Sequence, residues 1–269
     1  MIDGHIHIER GPYTPEWIGR FADRAVERGI DEIWLLEHCY RFEEFTPMYA
    51  SACAHSAYVD AWFHRQAGAK RLGDYLALIA RVRARRFLVS IKFGLEICYF
   101  KAYEGFIAKH ARDKGFDFLL GSVHFVDDFA FDHRPEHWDG VDVDRLFRRY
   151  YEDSVAMAES GLFDGIGHPD AIGLFGHKPT YPLAAHYERL AEALAESGMY
   201  ADQNSGAARR CPDTATLGMN RALLCTLIRH GVRIVTSSDA HRPEDVGDKI
   251  AALEARVIEC QKSTKEVSP

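Results

Sequence analysis

The sequence lacks the features that mark several classes of protein. It has no apolar run long enough for a transmembrane helix, and its first residues lack the basic, apolar and small-residue order of a signal peptide. It also contains no G-x-G-x-x-G or Walker A pattern of the kind that cradles nucleotide phosphates. We therefore expect a cytoplasmic enzyme with no membrane partner.

Positive charge and paired cysteines are scarce as well. The net charge is −7 and the isoelectric point is about 6.1, which argues against a surface that coats nucleic acid. The basic run from Arg81 to Arg86 is interpreted as the solvated face of a helix. The six cysteines are scattered without a C-x-x-C pair, and in a large domain with no export signal they are predicted to be reduced thiols.

The chain does contain a repeated alternation of apolar runs and helical patterns over 269 residues, 47% of them hydrophobic. That is enough to bury a substantial core, and no Gly/Ser linker divides it, so one domain over residues 1–269 is predicted. Seven apolar runs are predicted as strands: Ile2–Ile6, Ile33–Leu36, Phe87–Leu95, Asp117–Val123, Phe163–Gly167, Met199–Asp202 and Val232–Ser237.

Helical patterns separate these runs. The first begins at Thr14-Pro15, an N-cap followed by proline in the first turn, and ends before Gly29. Further helices are predicted over 72–86, 143–160, 186–197, 216–230 and 243–259, and a loop with short helices over 40–68. Repeated βα units predict a parallel sheet buried on both faces. Seven of them favour a β/α barrel with one strand fewer than the usual eight, and an open doubly wound sheet is the alternative.

Side chains that bind metals follow most of the predicted strands. In a strand, residues two apart point to the same side, so His5 and His7 project together. A single histidine at a strand end more often bonds the backbone, but six of the seven predicted strand ends carry His or Glu, which argues against coincidence. Parallel barrels place their chemistry at this end of the strands, and nitrogen and carboxylate donors suit Zn²⁺, Mn²⁺ or Fe²⁺.

Longer motifs around these residues give the chain a family resemblance. They are Asp3-Gly-His5-Ile-His7, Glu37-His38, Gly94-Leu95-Glu96, Gly121-Ser122-Val123-His124, Gly167-His168-Pro169-Asp170 and Ser238-Asp239-Ala240-His241-Arg242-Pro243-Glu244-Asp245-Val246-Gly247. With them, the sequence resembles the PHP superfamily, named for polymerase and histidinol phosphatase, over nearly the whole chain. The resemblance implies an α/β fold, a distorted seven-stranded (β/α)7 TIM-like barrel, in agreement with the strand count.

The resemblance also implies a cluster of two or three divalent metal ions. One ion would take His5, His7, Glu96 and Asp239, and a second would share Glu96 and add His124 and His168. A third would use His38 and His241 with a histidine six residues past His7, where this chain has Tyr13. That third site is expected to be empty, completed by water, or supported by Tyr13 or Glu9.

The activity implied by the resemblance is hydrolysis of a phosphate monoester, by attack of metal-activated hydroxide on phosphorus. The residues look most similar to histidinol-phosphate phosphatases, which act in histidine biosynthesis. Glu96, Asp239 and His241 are the expected catalytic residues, and Arg209 and His177 the expected phosphate or substrate contacts. A nucleotidase or exonuclease, a phosphotyrosine phosphatase and a non-catalytic metal-binding barrel are the alternatives. No nucleic-acid partner is expected, and the sequence leaves the oligomeric state open.

Overall fold

Seven parallel strands form one sheet in the computed structural model, which describes residues 1–266. These seven strands follow one another around the sheet in chain order, and the fifth and sixth strands of the chain form a separate antiparallel hairpin. In chain order the strands are β1 (Ile2–His7), β2 (Glu32–Leu36), β3 (Ser90–Cys98), β4 (Phe118–Ser122), β5 (Phe125–Val126), β6 (Phe129–Ala130), β7 (Gly165–Ile166), β8 (Tyr200–Asn204) and β9 (Ile234–Ser237).

The seven-stranded sheet closes on itself. Ile6 forms a parallel bridge with Ala240, just past β9, and the His7 amide donates to the Ala240 carbonyl at 2.8 Å. The Thr236 hydroxyl donates to the Ile2 carbonyl at 3.1 Å, so β9 lies beside β1. The predicted fold class, a seven-stranded TIM-like β/α barrel, is therefore confirmed, and the open doubly wound sheet is excluded.

Apolar side chains fill the inside of the barrel towards the amino ends of the strands. Two glycines make room for them: a Cβ at Gly4 would lie 2.3 Å from Val235 Cγ1, and one at Gly165 would lie 2.3 Å from Tyr200 Cζ. Because these apolar side chains fill the barrel interior, a polar site can form at the carboxyl ends of the strands. The interior residues are Trp34, Leu36, Phe118, Leu120, Tyr200 and Val235.

Helices cover the outside of the barrel. The Thr14 hydroxyl caps the first of them by accepting from the Trp17 amide at 3.2 Å, as predicted, and Ile18 and Phe21 bury its apolar face. Within residues 1–266 the α-helices are α1 (Pro15–Glu27), α2 (Ala50–His55), α3 (Ala57–Gln66), α4 (Leu72–Arg83), α5 (Glu104–Ala111), α6 (Val143–Glu159), α7 (Ala184–Ser197), α8 (Gly206–Arg210), α9 (Arg221–Arg229) and α10 (Ile250–Glu266).

Some boundaries differ from the predicted ones. β3 continues to Cys98 because the Glu96 amide still bonds the Glu37 carbonyl, at 2.9 Å, so Glu96 lies inside a strand. The helix predicted from residue 243 begins at Ile250 instead, because Gly247 and Lys249 have left-handed backbone conformations. The short helices α5 and α8 were not predicted, since eight residues or fewer do not show a helical period.

One pair of cysteines contradicts the sequence-based expectation. Cys225 on α9 and Cys260 on α10 form a disulfide, with their Cα atoms 5.1 Å apart. The prediction of reduced thiols is wrong for this pair, because packing of α9 beside α10 brings together residues that the sequence separates by 35 positions. The other four cysteines are free thiols: Cys39, Cys53, Cys98 and Cys211.

Membrane spanning and the number of domains were also predicted for the whole chain. No helix among residues 1–266 is long and apolar enough to cross a membrane. The single domain over 1–269 stays a prediction, and residues 267–269 lie outside the described part of the chain.

Candidate metal centre

A β-bulge positions the first two histidines. The register between β1 and β2 shifts between Asp3 and Ile6, so β1 holds one residue more than β2 over this stretch. His5 and His7 lie at the carboxyl end of the barrel with side chains 0% and 1% exposed. Their Nε2 atoms are 2.9 Å apart, so the two rings converge on one point.

Two acidic side chains reach the same point from other strands. Glu96 Oε2, on β3, lies 3.5 Å from His5 Nε2 and 3.3 Å from His7 Nε2. Asp239 Oδ1, just past β9, lies 3.8 Å from His5 Nε2 and 3.5 Å from His7 Nε2. Two imidazoles and two carboxylates therefore surround a single position, with the first and last strands of the barrel both contributing.

The other oxygen of Glu96 faces a second pair of histidines. Glu96 Oε1 lies 3.3 Å from His124 Nε2 and 3.2 Å from His168 Nε2. The Ser122 hydroxyl donates to this oxygen at 2.6 Å and so fixes the plane of the carboxylate. Glu96 thus has the geometry of a bridge between two positions. We refer to the six side chains of these positions as the inner cluster: His5, His7, Glu96, His124, His168 and Asp239.

Buried aspartates orient two of the inner histidines. Asp202 Oδ2, on β8, is 2.9 Å from His5 Nδ1, and Asp132 Oδ2 is 2.9 Å from His124 Nδ1. Each leaves the Nε2 atom of its histidine facing Glu96, the arrangement that carboxylates give to metal-ligating histidines. The sequence placed Asp202 at a strand end without this role, and it gave no signal for Asp132 in the loop after β6.

The loop that carries Asp239 is fixed from behind. The Asp3 carboxylate accepts from the Ser238 amide at 2.8 Å and from the Ser238 hydroxyl at 2.6 Å. Asp239 itself has a left-handed backbone, with φ at 51°, a strained conformation for a residue other than glycine that is found mainly at functional sites. A Cβ at Gly206 would lie 2.4 Å from Asp239 Oδ2, so the approach of this carboxylate depends on glycine there.

The charges of the inner cluster shift the pKa values of its members in opposite directions. Burial, with the neighbouring histidines, lowers the pKa of His7 to about 3. Burial also disfavours charge on His5, but Asp239 and Glu96 outweigh it and hold the pKa of His5 well above its usual value. For Glu96, burial opposes ionisation, yet His38 and His5 keep its pKa well below the usual range. Glu96 is therefore an ionised carboxylate among imidazoles.

This donor set fits divalent cations. Glu96 Oε2 is buried and has no hydrogen-bond partner among residues 1–266, although ring nitrogens of His5, His7 and His38 lie within 3.5 Å of it. Lone pairs that face one another at such distances repel unless a proton or a cation lies between them. Imidazole and carboxylate ligands without sulfur suit Zn²⁺, Mn²⁺ or Fe²⁺.

A further group of histidines lies at the mouth of the cleft. The ring of His7 stacks on the rings of His38, at 3.9 Å between centroids, and His241, at 4.4 Å. Glu9 lies beside them, with Oε2 2.9 Å from His38 Nδ1 and Oε1 3.6 Å from His241 Nε2. We refer to Glu9, His38 and His241 as the mouth cluster.

Tyr13 does not join the mouth cluster. Its hydroxyl donates to Glu37 Oε1 at 2.7 Å, and its ring packs against Lys70 Nζ at 3.6 Å from the centroid. Burial, followed by the charge of Glu37, raises the pKa of Tyr13 far above its usual value, so the hydroxyl stays neutral. Of the two residues that the sequence offered for the third position, Glu9 is the one that contacts His38.

The structure brings all eight predicted metal ligands to one cleft, but their roles as ligands stay a prediction. Arg209 lines the same cleft, where its Nη1 and Nη2 atoms donate to the carbonyls of Ser238 at 2.8 Å and Asp239 at 2.6 Å. His177 lies elsewhere: it stacks on Trp138 at 4.2 Å and lines a neighbouring cavity of ≈ 550 Å³. Their contacts with phosphate or substrate also stay a prediction.

Comparison with known protein families identifies the family of this chain. The model of the PHP domain matches residues 3–206. The chain belongs to the PHP domain family. Asp239 and His241 lie beyond the matched span, yet the structure places both beside residues of β1, which the span includes.

Relatives within the family are aligned over most of the chain. It is 27% identical over 256 residues to the "Probable histidinol-phosphatase" of Deinococcus radiodurans, covering 93% of this chain and 90% of that protein. It is 26% identical over 173 residues to a protein with the same name from Schizosaccharomyces pombe, covering 59% of this chain and 56% of that protein. The predicted family and the predicted phosphatase enzyme are confirmed at this level.

A solved structure shares the fold. The histidinol phosphate phosphatase of Lactococcus lactis, determined with zinc, L-histidinol and phosphate, superposes on this chain with a TM-score of 0.61. The superposition covers 98% of this chain and 93% of that one, at 17% sequence identity. The superposition shows that the two chains share a fold. Because their sequence identity is low, the substrate and the number of metal ions are argued from the residues of this chain.

Proposed function

We propose that this chain is a histidinol-phosphatase, which hydrolyses L-histidinol phosphate to L-histidinol and phosphate and so serves histidine biosynthesis. The observation that carries the proposal is the Glu96 carboxylate, each oxygen of which faces a separate pair of histidines at the floor of a cleft. Paired metal sites of this kind suit hydrolysis of phosphate esters. The names of the two relatives support the choice of substrate.

The inner cluster would hold two ions. His5, His7 and Asp239 would take one, His124 and His168 the other, and Glu96 both. Divalent ions bound there would lower the pKa of water and neutralise charge on the phosphoryl oxygens. The chain's own contribution is to hold these ligands in fixed orientations, through the contacts of Asp202 with His5 and Asp132 with His124.

Arginines supply positive charge around the cleft. Arg10, Arg209, Arg210 and Arg242 line this cavity of ≈ 540 Å³. Each terminal nitrogen of Arg209 uses one of its two N–H groups on a backbone carbonyl, so the second N–H groups and the Nε–H remain for a phosphate oxygen. Arg10 forms no side-chain hydrogen bond or ion pair with the described residues 1–266, which leaves its guanidinium available for a phosphate dianion.

A second cavity, of ≈ 270 Å³, adjoins the cleft and suits the leaving group. His38, His124 and His241 line both spaces, so the two are continuous at the metal centre. The far wall is aromatic, with Tyr40, Tyr58 and Trp62. Glu9 and Asp132 add two carboxylates, and Arg10 and Arg210 add two guanidinium groups. Aromatic faces and carboxylates together complement the imidazole and ammonium groups of histidinol.

The leaving alkoxide needs a proton. Asp239 and His241 border the cleft with side chains 20% and 24% exposed. Burial opposes ionisation of Asp239, but the charges of His5 and His241 hold its pKa far below the usual range, so His241 is the better candidate to hold a proton next to the leaving oxygen. His241 Nδ1 faces the Asp239 carbonyl at 3.0 Å, which directs Nε2 of the ring towards Glu9 and the cavity.

A substrate panel tests the proposal. The protein is reconstituted with Mn²⁺, Zn²⁺ or Fe²⁺ and given histidinol phosphate, phosphotyrosine, p-nitrophenyl phosphate and a dinucleotide. We expect kcat/KM for histidinol phosphate to exceed the others by about 10²-fold or more, because only its leaving group offers both an imidazole and an ammonium group to this cavity. Equal rates on all monoesters, or faster cleavage of the dinucleotide, would reject the substrate.

A variant in the second cavity sharpens the test. Trp62→Leu should raise KM for histidinol phosphate and leave turnover of p-nitrophenyl phosphate unchanged, since the ring lines the leaving-group cavity and not the metal cleft. A double His5→Ala, His7→Ala variant is the matched negative control. Full activity in that variant would contradict the metal-site assignment itself.

A further inference from the structure

The mouth cluster holds a carboxylate whose position ion pairing alone does not explain. β1 ends at His7, the Ile8 amide still bonds the Leu36 carbonyl at 3.4 Å, and Glu9 lies in the turn that follows. The direction of the Glu9 side chain is therefore set by its own contacts and not by the alternation that orients His5 and His7. The Glu9 side chain is only 11% exposed and faces the histidines of the mouth cluster.

The two oxygens of Glu9 face two different histidines. Oε2 is within hydrogen-bond distance of His38 Nδ1, at 2.9 Å, whereas Oε1 and His241 Nε2 are 3.6 Å apart, too far for a hydrogen bond. A pair between Glu9 and a protonated His38 accounts for the first distance and leaves the second without a cause. The 3.6 Å separation suits two ligands that share a cation between them.

Protonation of the histidines is a poor alternative to a bound cation at this site. Ligand nitrogens of His7, His38 and His241 all lie within 4.8 Å of one another, and the His7 ring stacks on both of the others. Charging two or three stacked rings places like charges side by side in a partly buried site. Neutral rings around one cation, with a carboxylate opposite, avoid that repulsion.

We propose that Glu9 takes the place of the missing loop histidine and completes, with His38 and His241, a third divalent-cation site at the mouth of the cleft. The proposal rests on the proposed function, in that it presupposes a metal-dependent enzyme with an occupied inner cluster. A carboxylate in place of an imidazole makes this site one charge more negative and its donor set harder. The third site should therefore favour Mn²⁺ or Fe²⁺ over Zn²⁺ more strongly than the histidine-rich inner positions do.

Metal stoichiometry tests the proposal without any use of activity. The chain is loaded with Mn²⁺, separated from free metal by gel filtration and analysed by plasma mass spectrometry. We expect three ions per chain for the unmodified protein and two for Glu9→Gln, because the neutral amide of equal size removes the anionic ligand. Glu9→His should restore three ions and shift competition between Mn²⁺ and Zn²⁺ towards Zn²⁺.

Controls separate this inference from the proposed function. Tyr13→Phe changes the other residue considered for the third position and should keep three ions, since its hydroxyl bonds Glu37. Circular dichroism and thermal unfolding verify that Glu9→Gln is folded. Two ions in both the unmodified protein and Glu9→Gln would overturn the third site alone, as would three ions in both. No tightly bound ion in the unmodified protein would overturn the proposed function together with it.

Discussion

The inner cluster and the mouth cluster are built from similar ligands but supported differently. In the inner cluster, His5 and His124 are each held by a further aspartate behind the ring. In the mouth cluster, the Nδ1 atom of His38 faces Glu9, a member of the cluster itself, and that of His241 faces the Asp239 carbonyl. The difference indicates that the inner histidines are held more firmly than the two histidines of the mouth cluster.

The largest effect is expected from loss of the bridge. Glu96→Gln keeps the shape of the side chain but removes the charge shared by both inner positions. We expect metal analysis to show both inner ions lost and kcat/KM to fall by about 10³-fold or more, because bound metals contribute several kcal/mol of transition-state stabilisation. If Glu96→Gln retained both inner ions, Glu96 would not be the bridge of the inner cluster, and this difference from the mouth cluster would be contradicted.

A smaller effect is expected behind the histidines. Asp202→Asn leaves His5 in place but weakens the contact at Nδ1, which is 2.9 Å in the native chain. Metal affinity at the inner cluster should drop by about 10- to 100-fold, as for other carboxylates that orient metal ligands. Titration with a chelator measures this. Unchanged metal affinity, or a loss of affinity at the mouth cluster alone, would show that preorganisation does not distinguish the inner cluster from the mouth cluster.

Proton release on metal binding tests the charges of the inner cluster. In the metal-free protein burial disfavours charge on His124, but Asp132 outweighs it and raises the pKa of His124 to about 10. His124 is therefore protonated in the metal-free protein up to about pH 10. The stability that this gives the metal-free fold is fully present below about pH 6.5 and is lost as the pH rises through about 10. At pH 7 a metal must displace this proton, so affinity should fall by about tenfold per pH unit on acidification for each proton released.

Calorimetry in two buffers of different ionisation enthalpy counts these protons. His7 should contribute none at pH 7, because its pKa is about 3. A proton count of zero would mean that the inner histidines are neutral before the metal arrives.

The smallest effect is expected at Tyr13. Tyr13→Phe removes the donor to the buried Glu37 and should lower the free energy of unfolding by about 1–3 kcal/mol, measured with urea. The number of bound ions and kcat should not change. Loss of one ion in this variant would place Tyr13, and not Glu9, in the mouth cluster.

The sequence predicted the ring of strands and most of the site because both depend on local spacing. Two-residue alternation sufficed for His5 and His7, and strand ends sufficed for His38, His124 and His168. Partners across the barrel have no such local signal, which is why the role of Asp202 and the whole contribution of Asp132 were missed. The same limit applies to the disulfide between α9 and α10, since helix packing and not spacing brings Cys225 to Cys260.

The bridge between Ile6 and Ala240 that closes the barrel has a consequence for how the protein is made. Side chains that meet in one cleft are separated by most of the chain, since His5 lies beside Asp239 and His7 beside His241. A growing polypeptide therefore has only part of the ligand set until its last strand has left the ribosome, and closing so long a loop is slow compared with helix formation. We therefore expect metal binding at the inner cluster to follow closure of the barrel by its last strand.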